Sequence, residues 1–285
     1  MDDRVQQNAS PWWPKDLRYT CPHCRAGIEL IEGRSARCPH CSFEMVIDRG
    51  VYRFVPQTGT INDWQDTYDK VATGSLGDTG AGLLYRSPLH QRVATFRHLC
   101  GEVSAGARIL DVGCADGVFW QALLDRRPVV GIDFSFEMCL LARNLGMLAH
   151  QADALALPFA DGQFDLIYCA GLLEHVDDLS KLFAELSRVC RIGGRIVVGT
   201  ANKVSLARRA MRVVRRVLPA SLEVMRRPIV MRTIGELVLA AGEASLDLDR
   251  VCWSHFPLQW ERCSSSASNV LAPLATNVYA RFKKR

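Results

Sequence analysis

Apolar positions between residues 88 and 200 alternate between two periods. Compact apolar runs occur at 107–112, 129–133, 147–150, 164–169 and 195–199. Between them, over 88–101, 117–126, 135–146 and 179–190, apolar residues recur every three or four positions. The first pattern predicts strands buried on both faces and the second predicts helices with one apolar face. Their regular alternation predicts an α/β fold, a doubly wound parallel sheet whose ligands sit at the carboxyl ends of its strands.

The first fifty-odd residues follow a different pattern. Phe43, Met45 and Ile47 alternate, Asp48-Arg49-Gly50 can turn, and 51–55 returns as a second strand, which predicts a hairpin. Residues 57–82 are then polar and glycine-rich. The stretch around Asp63 to Asp69 predicts a short helix, and TGSLGDTGAG a loop. The expected organisation is a small unit at 19–56, a linker or lid at 57–87, and a larger domain at 88–285 with a basic helical insertion at 203–230. A lid would let Tyr68 reach the site of the larger domain; a plain linker is the alternative.

Composition narrows this picture. The chain has 285 residues, 48% hydrophobic and 23% charged, enough for one full core with length to spare. No apolar run approaches the ~18 residues of a membrane span, and the first residues lack a signal-peptide pattern, so a soluble, cytoplasmic protein is expected. Of the 11 cysteines, four form Cys21-Pro-His-Cys24 and Cys38-Pro-His-Cys41, and seven are scattered singly. Two Cys-x2-Cys knuckles supply four thiolates, a closed tetrahedral shell for a structural Zn2+ held by Cys21, Cys24, Cys38 and Cys41. The remaining cysteines are expected as free, buried thiols in a reducing compartment. A unit this small needs its metal to fold.

The strand ends carry the informative chemistry. Asp111 ends the first strand of the larger domain, Asp133 ends the second, and Asp153 follows the third, 22 and then 20 residues apart. A dinucleotide site would place Gly-x-Gly-x-x-Gly after the first strand and a pyrophosphate on the next helix. Here those positions are Gly113, Ala115 and Val118, and a carboxylate at Asp111 repels phosphate. Any one acid could be a helix cap. Three at three strand ends instead favour a ligand with cationic groups and hydroxyl or amino donors, since each carboxylate would otherwise be desolvated without a partner. S-adenosylmethionine meets these demands.

LDVGCADG, VVGIDFSFEM, QADALALPF, FDLIYCAGLLEHVDD and LSRVCRIGGRIVVGTAN, taken in order, resemble the motifs of class I S-adenosylmethionine-dependent methyltransferases, particularly the ubiquinone and menaquinone branch. The resemblance implies a seven-stranded Rossmann-like sheet whose last strand, near 276–282, is antiparallel. It also implies that Asp111, Gly113, Ala115 and Gly117 flank the methionine end of the cofactor. Asp133 would take the ribose, Asp153 and Ala154 the adenine, and Ala170 would face the reaction. Two departures are Ala115 in place of the middle glycine and Cys190-Arg-Ile before Gly193. The unit at 19–56 resembles the zinc ribbon of small activator proteins that partner methyltransferases; such ribbons serve either as docking modules or as nucleic-acid contacts.

His175 lies beyond the fourth strand, where it could act as a general base or merely satisfy a loop. From Lys203 to Arg232 the chain carries nine basic residues and one acid, Glu223. Within it Leu206, Ala210, Val213, Val214 and Val217 share one helical face, and Arg208, Arg209, Arg212, Arg215 and Arg216 the other. This basic amphipathic helix could be a solvated lid, a surface for membrane lipid or an anionic ligand, or a nucleic-acid contact. The expected reaction is methylation of a small hydrophobic or anionic acceptor. RNA methylation, with the ribbon and basic helix docking the RNA, is the alternative.

Overall fold

The computed structural model describes residues 17–30, 35–55, 63–74, 89–123, 129–214, 229–255, 260–266, 270 and 272–285. The N-terminal unit contributes β1 (Tyr19–Thr20), β2 (Gly27–Ile28), β3 (Ala36–Arg37), β4 (Glu44–Asp48) and β5 (Val51–Arg53), followed by helix α1 (Asp63–Ala72). The larger unit begins with α2 (Leu89–Cys100), β6 (Ile109–Val112), α3 (Val118–Leu123), β7 (Val129–Asp133), α4 (Phe136–Asn144) and β8 (Leu148–Gln151). It continues with β9 (Phe164–Ala170), a 3-10 turn (Leu173–His175), α5 (Leu179–Val189), β10 (Cys190–Ala201) and α6 (Leu206–Val214). Last come α7 (Ile234–Glu243), β11 (Leu246–His255), β12 (Trp260–Ser264) and β13 (Asn277–Lys284).

The expected seven-stranded sheet is present as β11-β13-β10-β9-β6-β7-β8. β6 to β10 are mutually parallel, and β13 runs antiparallel to β10, pairing Val198 with Ala280. The sheet extends past both expected edges. β12 pairs with β11 at one side, and at the other β5 pairs in parallel with β8, carrying β4 and β3 with it. The N-terminal unit is therefore joined to the sheet through strand hydrogen bonds, so the exposed edge of β8 becomes an interior strand.

Local chemistry accounts for the helix boundaries that matter to the site. Ser135 caps α4 by accepting the Met138 amide, and Asp178 caps α5 by accepting from Lys181. α5 buries Leu182, Phe183, Leu186 and Val189, the stripe its periodicity predicts. Thr233 and Glu236 form a reciprocal capping box at the start of α7.

Tyr19 anchors the small unit against the large one. Its ring stacks on Phe54 at 5.8 Å, contacts Phe159 at 5.6 Å, and its hydroxyl lies 3.0 Å from Nε2 of buried His150. Aromatic pairs of this kind add about 0.5–1.5 kcal/mol each beyond area burial. Arg25 ties in a second point, pairing with Glu185 at 2.8 Å and donating to the Leu157 carbonyl at 3.2 Å.

The cysteines depart from the sequence reading in one respect. Cys100, Cys114, Cys139, Cys169 and Cys190 are free and buried, as expected, but Cys252 and Cys263 form a disulfide. These two residues stand directly opposite each other on β11 and β12, a register that residue spacing alone does not reveal. No helix among the described residues is long and apolar enough to cross a membrane.

Candidate active site

A cavity of about 1020 Å³ opens at the carboxyl ends of β6, β7, β9 and β10. Its wall includes Gly113, Ala115, Asp133, Asp153, Ala154, Ala170 and His175, so most residues singled out in the sequence meet in one place. Asp111 and Gly117 stand behind this wall.

The turn after β6 is stitched to the end of β7. The Gly113 and Cys114 amides both donate to the Ile132 carbonyl, at 2.8 and 3.0 Å. The Ala115 amide donates to Oδ2 of Asp133 at 2.9 Å, and the Ser135 amide to Oδ1 at 2.9 Å. Gly113 (φ +81°) and Gly117 (φ +78°) adopt the left-handed conformation, and a Cβ on Gly117 would lie 2.7 Å from the Met147 sulfur. Ala115 also has a positive φ, +48°, which costs an L-residue about 1–2 kcal/mol. The bond from its amide to Asp133 holds that turn in place.

Both inner carboxylates are hard to ionise. Burial pushes the Asp111 carboxyl up to about 7, although the Trp120 indole N–H, donating at 2.6 Å, and Arg92 pull it back. Burial likewise pushes Asp133 up to about 6 against the pull of its amide donors. Desolvated carboxylates at a cavity wall favour a ligand that brings positive charge. Asp153 accepts the Leu155 amide at 2.8 Å, fixing the turn that lines the next part of the wall.

The structure adds residues that sequence reading missed. Arg92, on α2, lines the cavity with its guanidinium carbon 5.1 Å from the Phe119 ring centroid. Burial works against its charge, but Tyr168, Tyr279 and Asp111 around it hold the proton on. Nothing in the local sequence marks Arg92, because only the packing of α2 brings it to Asp111. Helix α1 lies across the opposite wall. Its Asp69 accepts from the Ser135 hydroxyl and the Glu137 amide, and its Trp64 and Tyr68 cover His175.

His175 sits in the 3-10 turn after β9, with its ring centroid 4.2 Å from that of Trp64 and its Nε2 2.9 Å from the Tyr68 hydroxyl. Its Nδ1 is buried without a protein partner among the described residues. Burial lowers its pKa to about 4, so the ring is neutral at physiological pH. Arg208 of α6 also lines the cavity, bonded to the Thr276 carbonyl and, at 2.6 Å, to Oδ1 of Asn277. Leu206, Ala210 and Val213, the described part of the apolar face of α6, are exposed, whereas Val217, Arg215 and Arg216 lie outside the described residues.

Residues 110–198 match a family profile described as Methyltransferase domain. Over these residues the chain is similar to methyltransferase domains. The chain is 35% identical to phosphatidylethanolamine N-methyltransferase of Cereibacter sphaeroides over 111 residues, 36% of this chain and 55% of that protein. It is 41% identical to demethylmenaquinone methyltransferase of Thermus thermophilus over 103 residues, 33% of this chain and 47% of that one. The match thus spans about half the length of these curated relatives. In fold, the chain resembles a S-adenosylmethionine-dependent methyltransferase from Thermotoga maritima, with a TM-score of 0.58 and 20% identity over 72% of this chain and 92% of that one.

Away from this region, the four knuckle cysteines converge, with all their sulfurs within 4.8 Å of one another. The Cys21 and Cys41 sulfurs are 3.6 Å apart and those of Cys24 and Cys38 3.5 Å. Thiolates about 2.3 Å from a tetrahedral zinc stand roughly 3.8 Å apart, so this donor set fits that ion.

Proposed function

We propose that the chain transfers the methyl group of S-adenosylmethionine to a small hydrophobic or anionic acceptor. The observation that carries this reading is the cavity at the strand ends, walled by Asp133 and Arg92 and backed by the buried carboxylate of Asp111. The methionine end of the donor has both an ammonium and a carboxylate; the turn of Gly113 and Ala115, backed by Asp111 and Gly117, would face the first, and Arg92 the second. Asp133 has both oxygens anchored by backbone amides and would accept from the ribose hydroxyls. Asp153 and Ala154 would border the adenine.

Bound there, S-adenosylmethionine supplies an electrophilic methyl group on a sulfonium. The protein's task is chiefly alignment and exclusion of water, which Trp64, Tyr68, Leu172 and Ala170 around the cavity mouth would perform. His175, which lines the cavity with its Nε2 held against the Tyr68 hydroxyl, would take the acceptor's proton. The acceptor half of the cavity combines aromatic walls from Trp64 and Tyr279 with the cation of Arg208. That combination favours an apolar molecule with an acidic group, which could arrive over the exposed apolar edge of α6. The knuckle cysteines would hold a structural zinc in the N-terminal unit.

Two steps test the reading. Calorimetry should detect one-to-one binding of S-adenosylhomocysteine that Asp133→Ala weakens at least about tenfold. Incubation of the protein with isotope-labelled donor and a cell extract, followed by mass spectrometry, should then reveal a labelled small molecule; label appearing in RNA instead would replace the acceptor class.

A further inference from the structure

Asp133 is reached from the N-terminal unit by an unbroken chain of contacts. β5 pairs with β8 at Arg53 and Gln151, and β8 pairs with β7 at Gln151 and Asp133, which places the three residues in one row across the sheet. The Arg53 Nε–H donates to Oε1 of Gln151 at 2.7 Å, and Nε2 of Gln151 donates to the Phe134 carbonyl at 3.0 Å. Gln151 is fully buried. The Phe134 carbonyl and the Ser135 amide belong to the same peptide group, and that Ser135 amide donates to Oδ1 of Asp133.

We infer that Arg53 is a positioning residue for the Asp133 carboxylate, acting through the side-chain amide of Gln151. Two constraints make the relay directional. A guanidinium has only donors, so Arg53 forces the oxygen of Gln151 toward itself and the nitrogen toward Phe134. A trans peptide is planar with its C=O and N–H antiparallel, so pinning the Phe134 carbonyl points the Ser135 N–H the opposite way, at Asp133. Reversing the Gln151 amide would set oxygen against oxygen at Phe134 and release the peptide that orients the carboxylate.

The same hairpin grips the residues that follow. The guanidinium carbons of Arg49 and Arg53 lie 4.7 and 4.8 Å from the Phe136 ring centroid. Arg49 pairs with Glu137 at 3.0 Å, and Arg143 of α4 donates back to the Gly50 carbonyl at 2.9 Å. Arg53 also lies 4.0 Å from Asp48, which keeps its charge compensated on its own hairpin. The N-terminal unit thus supplies a residue that shapes the site of a domain it precedes in sequence.

This inference rests on the assignment of Asp133 to the donor's ribose. The test is S-adenosylhomocysteine binding by the zinc-loaded full chain, measured by calorimetry between pH 5.5 and 8, for wild type, Arg53→Ala, Arg53→Lys, Gln151→Glu, Asp133→Ala and the Arg53→Ala/Asp133→Ala pair. The expected result is about tenfold weaker binding for Arg53→Ala and for Gln151→Glu, which can still accept from Arg53 but no longer donates to Phe134 when ionised. Arg53→Lys, which keeps a donor, should recover most of the loss. Arg53→Ala should cost little further on the Asp133→Ala background and should displace the acid limb of the binding profile. Wild-type affinity and pH profile in Arg53→Ala, or equal losses with and without Asp133, would overturn the relay while leaving the cofactor reading intact. Absence of binding by wild type would overturn both.

Discussion

The Tyr68 hydroxyl lies 2.9 Å from Nε2 of His175, which joins helix α1, before the larger unit, to the turn after that unit's fourth parallel strand. The contact satisfies Nε2 at one edge of the imidazole and leaves Nδ1 buried and unpartnered by protein among the described residues. His175→Ala should therefore lower kcat by about a hundredfold with little change in donor affinity. Tyr68→Phe should lower it less, because it removes the partner of Nε2 but keeps the ring. Turnover near wild type in His175→Ala with the true acceptor would remove the base role.

The pH dependence of His175 has a defined sign. Its pKa is lowered to about 4 by burial, so the neutral form is present above that value and is lost only as pH falls through it. A kcat profile limited by this group should stay flat from pH 8 to about 5. An acid limb in kcat near pH 6.5 would indicate an unperturbed histidine.

Donor affinity should follow a different profile. Asp111 and Asp133 have pKa values raised to about 7 and about 6 in the ligand-free protein, and a cationic ligand prefers them ionised. Binding must therefore expel protons below those values, and the Kd for S-adenosylmethionine should rise as pH falls from 7 toward 5. Without ligand the sign reverses for stability. Groups with raised folded-state pKa values stabilise the fold below their unfolded values and lose that contribution as pH rises through 6 to 7, so these two should make the free protein more stable at pH 5 than at pH 8. Thermal melts at the two pH values, with and without donor, test both signs.

Arg92→Met should preserve most of the buried volume while removing the cation beside Asp111. The KM for S-adenosylmethionine should increase by about ten- to a hundredfold, whereas a donor analogue lacking the methionine carboxylate should lose much less affinity in the variant. Equal weakening for both ligands would show that Arg92 supports the cavity wall and does not bind the carboxylate.

Metal analysis should find one zinc per chain, and Cys38→Ser or prolonged chelation should remove it. Structural zinc contributes on the order of 10 kcal/mol to small ribbons, so its loss should unfold the unit containing β1 to β4. Proteolysis should then cut within 17–55 before it cuts the larger unit. A metal-free protein with unchanged melting and protease resistance would argue against a structural ion.

Some of this organisation is legible in sequence because it is local. Two Cys-x2-Cys knuckles converge within a short span, and buried parallel strands advertise themselves as compact apolar runs with Asp111 and Asp133 at or next to their carboxyl ends. Gly113 and Ala115 were legible as a turn, but the +48° φ of Ala115 and its bond to Asp133 were not, since they depend on a strand 18 residues away. Arg92, Trp120 and the pairing of β5 with β8 escaped for the same reason. Each is fixed by tertiary packing, and neither a helical arginine nor a three-residue strand such as Val51–Arg53 carries a periodic signal strong enough to name its neighbour. The Cys252–Cys263 pairing likewise depends on the register of β11 and β12.

The account rests on a carboxylate-walled cavity built to receive a cationic methyl donor. Isothermal titration of zinc-loaded protein with S-adenosylmethionine at pH 7.5 and pH 5.5 tests it most directly. The expected result is one site per chain, tighter at pH 7.5, accompanied by proton release on binding at the lower pH and weakened at least about tenfold by Asp133→Ala. Absence of saturable binding at either pH, or binding indifferent to Asp133, would contradict it.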